Sequence, residues 1–159
     1  MNVNEFDKPK LPGTLNVLTI LTFIGCIVFG LFTLFTPKIL SFSKSMIEKT
    51  MSSGKDLSAK EAADLQKGLA QIELSEVNMI PLMVIGTVGI ILCFVGALMM
   101  RKLKKDGFWI YVAGQVIPIA GSAILMGVAQ YKEIGTIVML AIVVTFVWLY
   151  ATQRKFLTN

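Results

Sequence analysis

Gln115, Pro118 and Ser122 are the residues of this chain best placed to do something other than pack. They stand three and four residues apart inside an otherwise apolar run and so share one face of a helix. Gly114 lies four residues before Pro118, where a proline ring crowds the carbonyl and its missing N–H leaves that carbonyl free. A glycine there relieves the clash, and a kink is expected. The freed carbonyl and the Gln115 amide then need partners within protein. A structural hydrogen bond, a neighbouring subunit and a bound substrate would each meet that need. Gln115, Pro118 and Ser122 are accordingly candidate partner contacts.

Cys26 and Cys93 are the two thiols. Both fall inside apolar runs, at depths that differ by about 6 Å at ~1.5 Å of helix rise per residue, a stagger that disfavours a disulfide. The sequence contains no histidine, and two cysteines alone cannot build a usual zinc, haem or iron–sulfur site. Both read as small packing residues, with no metal, cofactor or catalytic residue expected.

The elements that hold these residues are four apolar runs, approximately 14–36, 80–100, 108–131 and 134–150, with no Asp, Glu, Lys, Arg or His inside any of them. Each is close to the ~20 residues that carry a helix across a hydrocarbon core about 30 Å thick. Apolar residues make up 55% of the chain and charged residues 16%, with mean hydropathy +0.72, outside the balance of a soluble domain. The expected fold is an all-α membrane protein, a single domain over 1–159 with four transmembrane helices. An amphipathic helical hairpin, 37–79, lies between spans 1 and 2. Absence of charge at membrane depth removes the usual mark of a proton relay, ion site or intramembrane catalyst.

Charge placement sets the expected orientation. The net charge of +5 is carried on the side holding both termini and the 101–107 loop, with eight basic residues against three acidic; the other side has seven of each. Arg101, Lys102, Lys104 and Lys105 crowd one short loop, which predicts cytoplasmic termini in a multi-pass inner-membrane protein. Phe108, Trp109, Tyr111, Trp148 and Tyr150 would form an aromatic belt at that interface. Basic charge arranged this way argues against a nucleic-acid partner. Phe23-Ile24-Gly25-Cys26 loosely matches a lipoprotein cleavage box, but Ile27 to Phe35 remain apolar, so the first run reads as a retained signal-anchor span.

Small residues predict how the spans pack. Gly86, Gly89, Cys93 and Gly96 recur at steps of three, four and three, making one stripe on the second span. Thr19, Thr22, Cys26 and Thr33, flanked by Gly25 and Gly30, answer on the first. Small residues let helices approach closely in lipid, so spans 1 and 2 are expected to pack along these stripes; a pore or lipid groove is the functional alternative. The fourth span is apolar all round and suits a lipid or partner face. Tyr131-Lys132-Glu133 allows only a tight turn before it.

Outside the membrane, Phe42, Met46 and Met51 approximate one face of a short helix that Ser52-Ser53-Gly54 ends. Ser58-Ala59-Lys60-Glu61 reads as a capping box, with Leu57 and Ala62 placed for a hydrophobic staple. Ala62, Leu65, Leu69 and Ile72 supply the apolar face of the helix that follows. Asn78 and Pro81 allow that helix to run nearly straight into the second span. The hairpin is either a solvated cap or a docking surface, and Met46, Ile47 and Met51 are its candidate partner contacts.

Leu11 to Cys26 (LPGTLNVLTILTFIGC) and Arg101 to Pro118 (RKLKKDGFWIYVAGQVIP) resemble small, mostly uncharacterised four-span inner-membrane proteins of Bacteroidota. The resemblance implies a bacterial inner membrane and carries no catalytic residues. The expected function is therefore that of a non-enzymatic accessory or scaffold subunit. Its partners are the lipid bilayer and another membrane subunit or further copies of itself. A small oligomeric transporter or channel is the alternative, although an exporter of this size would use a membrane-embedded carboxylate and none is present.

Overall fold

The computed structural model describes residues 12–53, 58–132 and 134–157, and they are helical almost throughout, with no strand among them. Helix α1 is Gly13–Ser52, α2 Ala59–Val77, α3 Met79–Arg101, α4 Asp106–Met126 and α5 Ile134–Gln153; short 3-10 helices occupy Val128–Lys132 and Arg154–Phe156. Four helices are long and apolar enough to cross a membrane: α1, α3, α4 and α5 with its 3-10 extension. The chain is a four-span, all-α membrane protein.

Helix α1 does not end near Thr36, as the run of apolar residues suggested. It continues through Pro37 for 40 residues, about 60 Å at ~1.5 Å per residue and twice the thickness of a hydrocarbon core. One proline removes one helical hydrogen bond and crowds one carbonyl. That local cost is absorbed because the outer part of α1 packs on α2, where Lys44 Nζ donates to Glu76 Oε2 at 3.0 Å and the Ile47 side chain rests against Gly68. The bond and charge of Glu76 hold the Lys44 ammonium above its ordinary value.

Helix α2 starts on the capping box read from the sequence. Ser58 Oγ accepts from the Glu61 backbone N–H at 3.3 Å, and Glu61 Oε2 accepts from the Ser58 N–H at 2.9 Å and from its hydroxyl at 2.7 Å. Those bonds favour the ionised carboxylate and lower its pKa. Gly54 and the Leu57 half of the expected staple lie outside the described residues. Ala62, Leu65, Leu69 and Ile72 are each partly buried, with exposed residues at 63, 64, 66, 67 and 70 between them, as an amphipathic face requires. Only Asn78 separates α2 from α3, and Pro81 sits in the first turn of α3, where its missing N–H costs nothing.

A four-residue turn joins α3 to α4. Leu103, at φ 60, closes a Schellman-type end: its N–H donates to the Met100 carbonyl at 2.9 Å and that of Lys104 to the Met99 carbonyl at 3.0 Å. Leucine replaces the usual glycine there because its side chain is buried, at 6% exposure, in the core of the bundle. Leu15, Leu18, Cys93, Met100, Phe108, Tyr111, Tyr150 and Leu157 complete that core. It lies at the end of the bundle where the start of α1, the α3–α4 turn and the end of α5 meet.

The aromatic belt is only partly realised. Trp109 and Trp148 face outward at 60% and 64% exposure, whereas Phe108, Tyr111 and Tyr150 are buried. The inward turn of the two tyrosines follows from their partners: Tyr150 shares a 2.7 Å hydrogen bond with Thr22, and the two rings lie 4.6 Å apart. Arg154 stacks over Phe108 and Trp109, 4.9 and 5.3 Å from the ring centroids.

Candidate functional site

Gly89, Cys93 and Gly96 of the α3 stripe face α4, which corrects the expected pairing with α1. A β-carbon added at Gly96 would lie 2.6 Å from the Tyr111 nitrogen and 2.8 Å from the Gly107 oxygen; one at Gly107 would lie 2.7 Å from the Gly96 oxygen. One register step away, β-carbons at Gly89 and Gly114 would each lie 2.9 Å from the other glycine's carbonyl oxygen. The Pro118 ring covers the same side of Gly89. Two reciprocal glycine pairs thus draw α3 and α4 into backbone contact. The matching signal was present in the sequence as Gly107, Gly114 and Gly121, spaced by sevens along α4; a heptad step keeps one face toward an antiparallel neighbour.

The first span contributes less than its stripe suggested. β-Carbons at Gly25, Gly30 and Gly86 would meet nothing within 4 Å. Thr19 is buried but donates to the Asn16 carbonyl of its own helix at 2.9 Å, and Thr33 donates to the Phe29 carbonyl at 2.9 Å. Thr22 bonds to α5 instead of α3. Contact between α1 and α3 is made by the Phe23 and Phe94 rings, 5.1 Å apart, and by the Cys26 thiol, which lies 3.8 Å from the Ile90 carbonyl oxygen. Both cysteines are free thiols.

The polar face of α4 is satisfied within the chain. Gln115 Nε2 donates to Cys93 Sγ and to the Tyr111 hydroxyl, each at 3.3 Å. The Ser122 hydroxyl shares a 2.7 Å bond with the Tyr131 hydroxyl, and both lie within bonding distance of the Ile119 carbonyl oxygen, at 3.1 and 2.7 Å. Tyr131 reaches Ser122 because α4 stops at Met126. Gly127, at φ 78, turns the chain into the Val128–Lys132 3-10 helix, so the third span is shorter than the 108–131 run. The candidate contacts Gln115, Pro118 and Ser122 are partly buried, and all three line a cavity between the spans. Met46 and Met51 on the outer helix remain exposed, at 51% and 38%, while Ile47 is turned toward Gly68.

Between the four spans lies a cavity of about 590 Å³. Its floor is the Tyr111 and Thr22 layer; Gly86 and Ile85 of α3, Pro118 of α4 and Leu140 of α5 form parts of its wall. Gln130 and Tyr131 line the end near the α4–α5 turn. The only buried residue of α5 is Tyr150, at the far end of that helix, so α5 is seated firmly at one end and stands off from the bundle along the cavity. Gln130 Nε2 is the single buried side-chain nitrogen or oxygen without a hydrogen-bond partner among the described residues.

Chemically the cavity offers neutral hydroxyls, amides and thiols on an apolar wall. Such a lining can orient a ligand by hydrogen bonds, in keeping with the mainly apolar pockets that form between helices of bundles. Among the described residues no three His, Cys, Asp or Glu side chains gather as metal ligands. Compared with protein-family models, with characterised proteins and with solved structures, the chain matches none.

Proposed function

We propose that this protein is a non-enzymatic accessory or scaffold subunit of a larger assembly in a bacterial inner membrane, with both termini on the cytoplasmic side. One observation carries the reading: the continuous α1 helix and its α2 partner form an arm reaching beyond the membrane. The 16 residues of α1 after Thr36 project about 24 Å at ~1.5 Å per residue. On that arm Met46 and Met51 are exposed although they lie well past the first lysine, Lys38. Exposed, adaptable methionines on a supported helix suit a protein interface. The absence of Asp, Glu, Lys, Arg and His from the apolar runs supports a role without acid–base chemistry.

Gentle extraction from native membranes and mass measurement of the intact assembly tests this. A stoichiometric partner is expected, and Met46→Glu combined with Met51→Glu should release the chain while its membrane level and melting temperature stay close to wild type. Recovery of the chain as a monomer under those conditions overturns the reading. The cavity favours a second function, a small oligomeric transporter or channel. Solute or ion flux by the purified chain in liposomes, abolished by filling the cavity at Gly86, would establish that instead.

A further inference from the structure

We infer that the cavity is a binding site for one acyl chain of a membrane glycerolipid. This goes beyond the accessory reading and rests only on the protein's place in a membrane. Three observations converge on it. The first is length. The α4 residues that line the cavity run from Tyr111 to Ser122, eleven steps of helix or about 16 Å, and one leaflet of a ~30 Å hydrocarbon core is about 15 Å deep.

The second is bulk. At about 30 Å³ for each water-sized group, 590 Å³ accommodates on the order of twenty of them, the bulk of a single fatty-acyl chain. The third is polarity. Exposed Lys132 belongs to the α4–α5 turn and marks that end of the cavity as lying at a membrane surface. Gln130 and Tyr131, on the same turn, line the cavity at that end. Among the described residues no lysine or arginine lines the cavity, so the lining favours a neutral ester over a free carboxylate. The loosely seated middle of α5 supplies the lateral entry that a chain arriving from the bilayer needs.

The purified full chain in phosphatidylglycerol vesicles, carrying a trace of phosphatidylglycerol with a diazirine in one acyl chain, provides the test. Photolysis is expected to label cavity peptides containing Ile85 and Leu140, saturably against unlabelled lipid. Gly86→Phe should cut that labelling at least tenfold, since Gly86 lines the cavity and a β-carbon there meets no atom within 4 Å. Gly25→Leu fills the same space from α1 and serves as a second, independent block. Labelling confined to outward Val116 and Ile124, unaffected by either filling variant, would overturn the assignment. So would modification of Cys26 by a membrane-impermeant thiol reagent, which would make the cavity a wet path.

Discussion

A methyl group separates the glycines that matter here from those that do not. Gly96 and Gly86 lie ten residues apart on one helix, yet a β-carbon at Gly96 strikes backbone atoms of α4 and one at Gly86 strikes nothing. Backbone cannot rotate away as a side chain can, so Gly96→Ala is expected to destabilise the bundle by about 1–3 kcal/mol, the range of overpacking. Gly86→Ala should instead stabilise it by about 0.5–1 kcal/mol through helix propensity. Unfolding of both variants in mixed detergent with sodium dodecyl sulfate checks the pair, and equal effects would place the α3–α4 contact elsewhere. Thr22→Val, which strands the buried Tyr150 hydroxyl, should cost about 1 kcal/mol in the same assay, near the usual worth of an intramembrane hydrogen bond.

At the level of elements, the outer arm is held by groups that titrate, and its behaviour with pH follows from their signs. The Ser58 bonds lower the Glu61 pKa, so the cap's stabilisation is complete above the ordinary carboxylate value of ~4.3 and is lost as pH falls through the lowered one. Hydrogen exchange should show the first turn of α2 protected at pH 6 and progressively frayed as pH falls below about 4; Ser58→Ala should lose about fivefold in protection at pH 6 and change little on acidification. Lys44 behaves in the opposite sense. Its pKa is raised by Glu76, so its contribution is full below the ordinary lysine value of ~10.4 and disappears only as pH rises through the raised one. Neutral pH leaves both devices intact.

Across the whole molecule, packing is graded from one end of the bundle to the other. The buried core joins the start of α1, the α3–α4 turn and the end of α5, and the cavity occupies the space toward the α4–α5 turn. The basic cluster from Arg101 to Lys105 sits at the tight end and the α1–α2 arm leaves from the opposite one. In a variant with Cys26 and Cys93 replaced by alanine, an impermeant maleimide applied to intact cells should label Lys60→Cys and leave Lys104→Cys untouched. The reverse pattern would invert the orientation.

Sequence alone determined the four spans, the capped α2 helix and the near-continuity of α2 with α3, because each depends on near neighbours: runs of apolar residues, a serine three places before a glutamate, a proline in a first turn. It also supplied every small residue on the α3 stripe. Which helix that stripe faces was a tertiary decision, made by the register that sets Gly89 against Gly114 and Gly96 against Gly107. The fate of Gln115 and Ser122 was decided the same way: Gln115 donates to the Cys93 thiol of α3 as well as to Tyr111 one turn back, Ser122 pairs with Tyr131 beyond the helix end, and the Nε2 of Gln130, unremarkable in the sequence, is left without a partner. Periodicity tells which residues share a face of one helix. It carries no information about the rotation and depth at which two helices meet, and the cavity, the buried tyrosines and the unbroken outer arm all follow from that meeting.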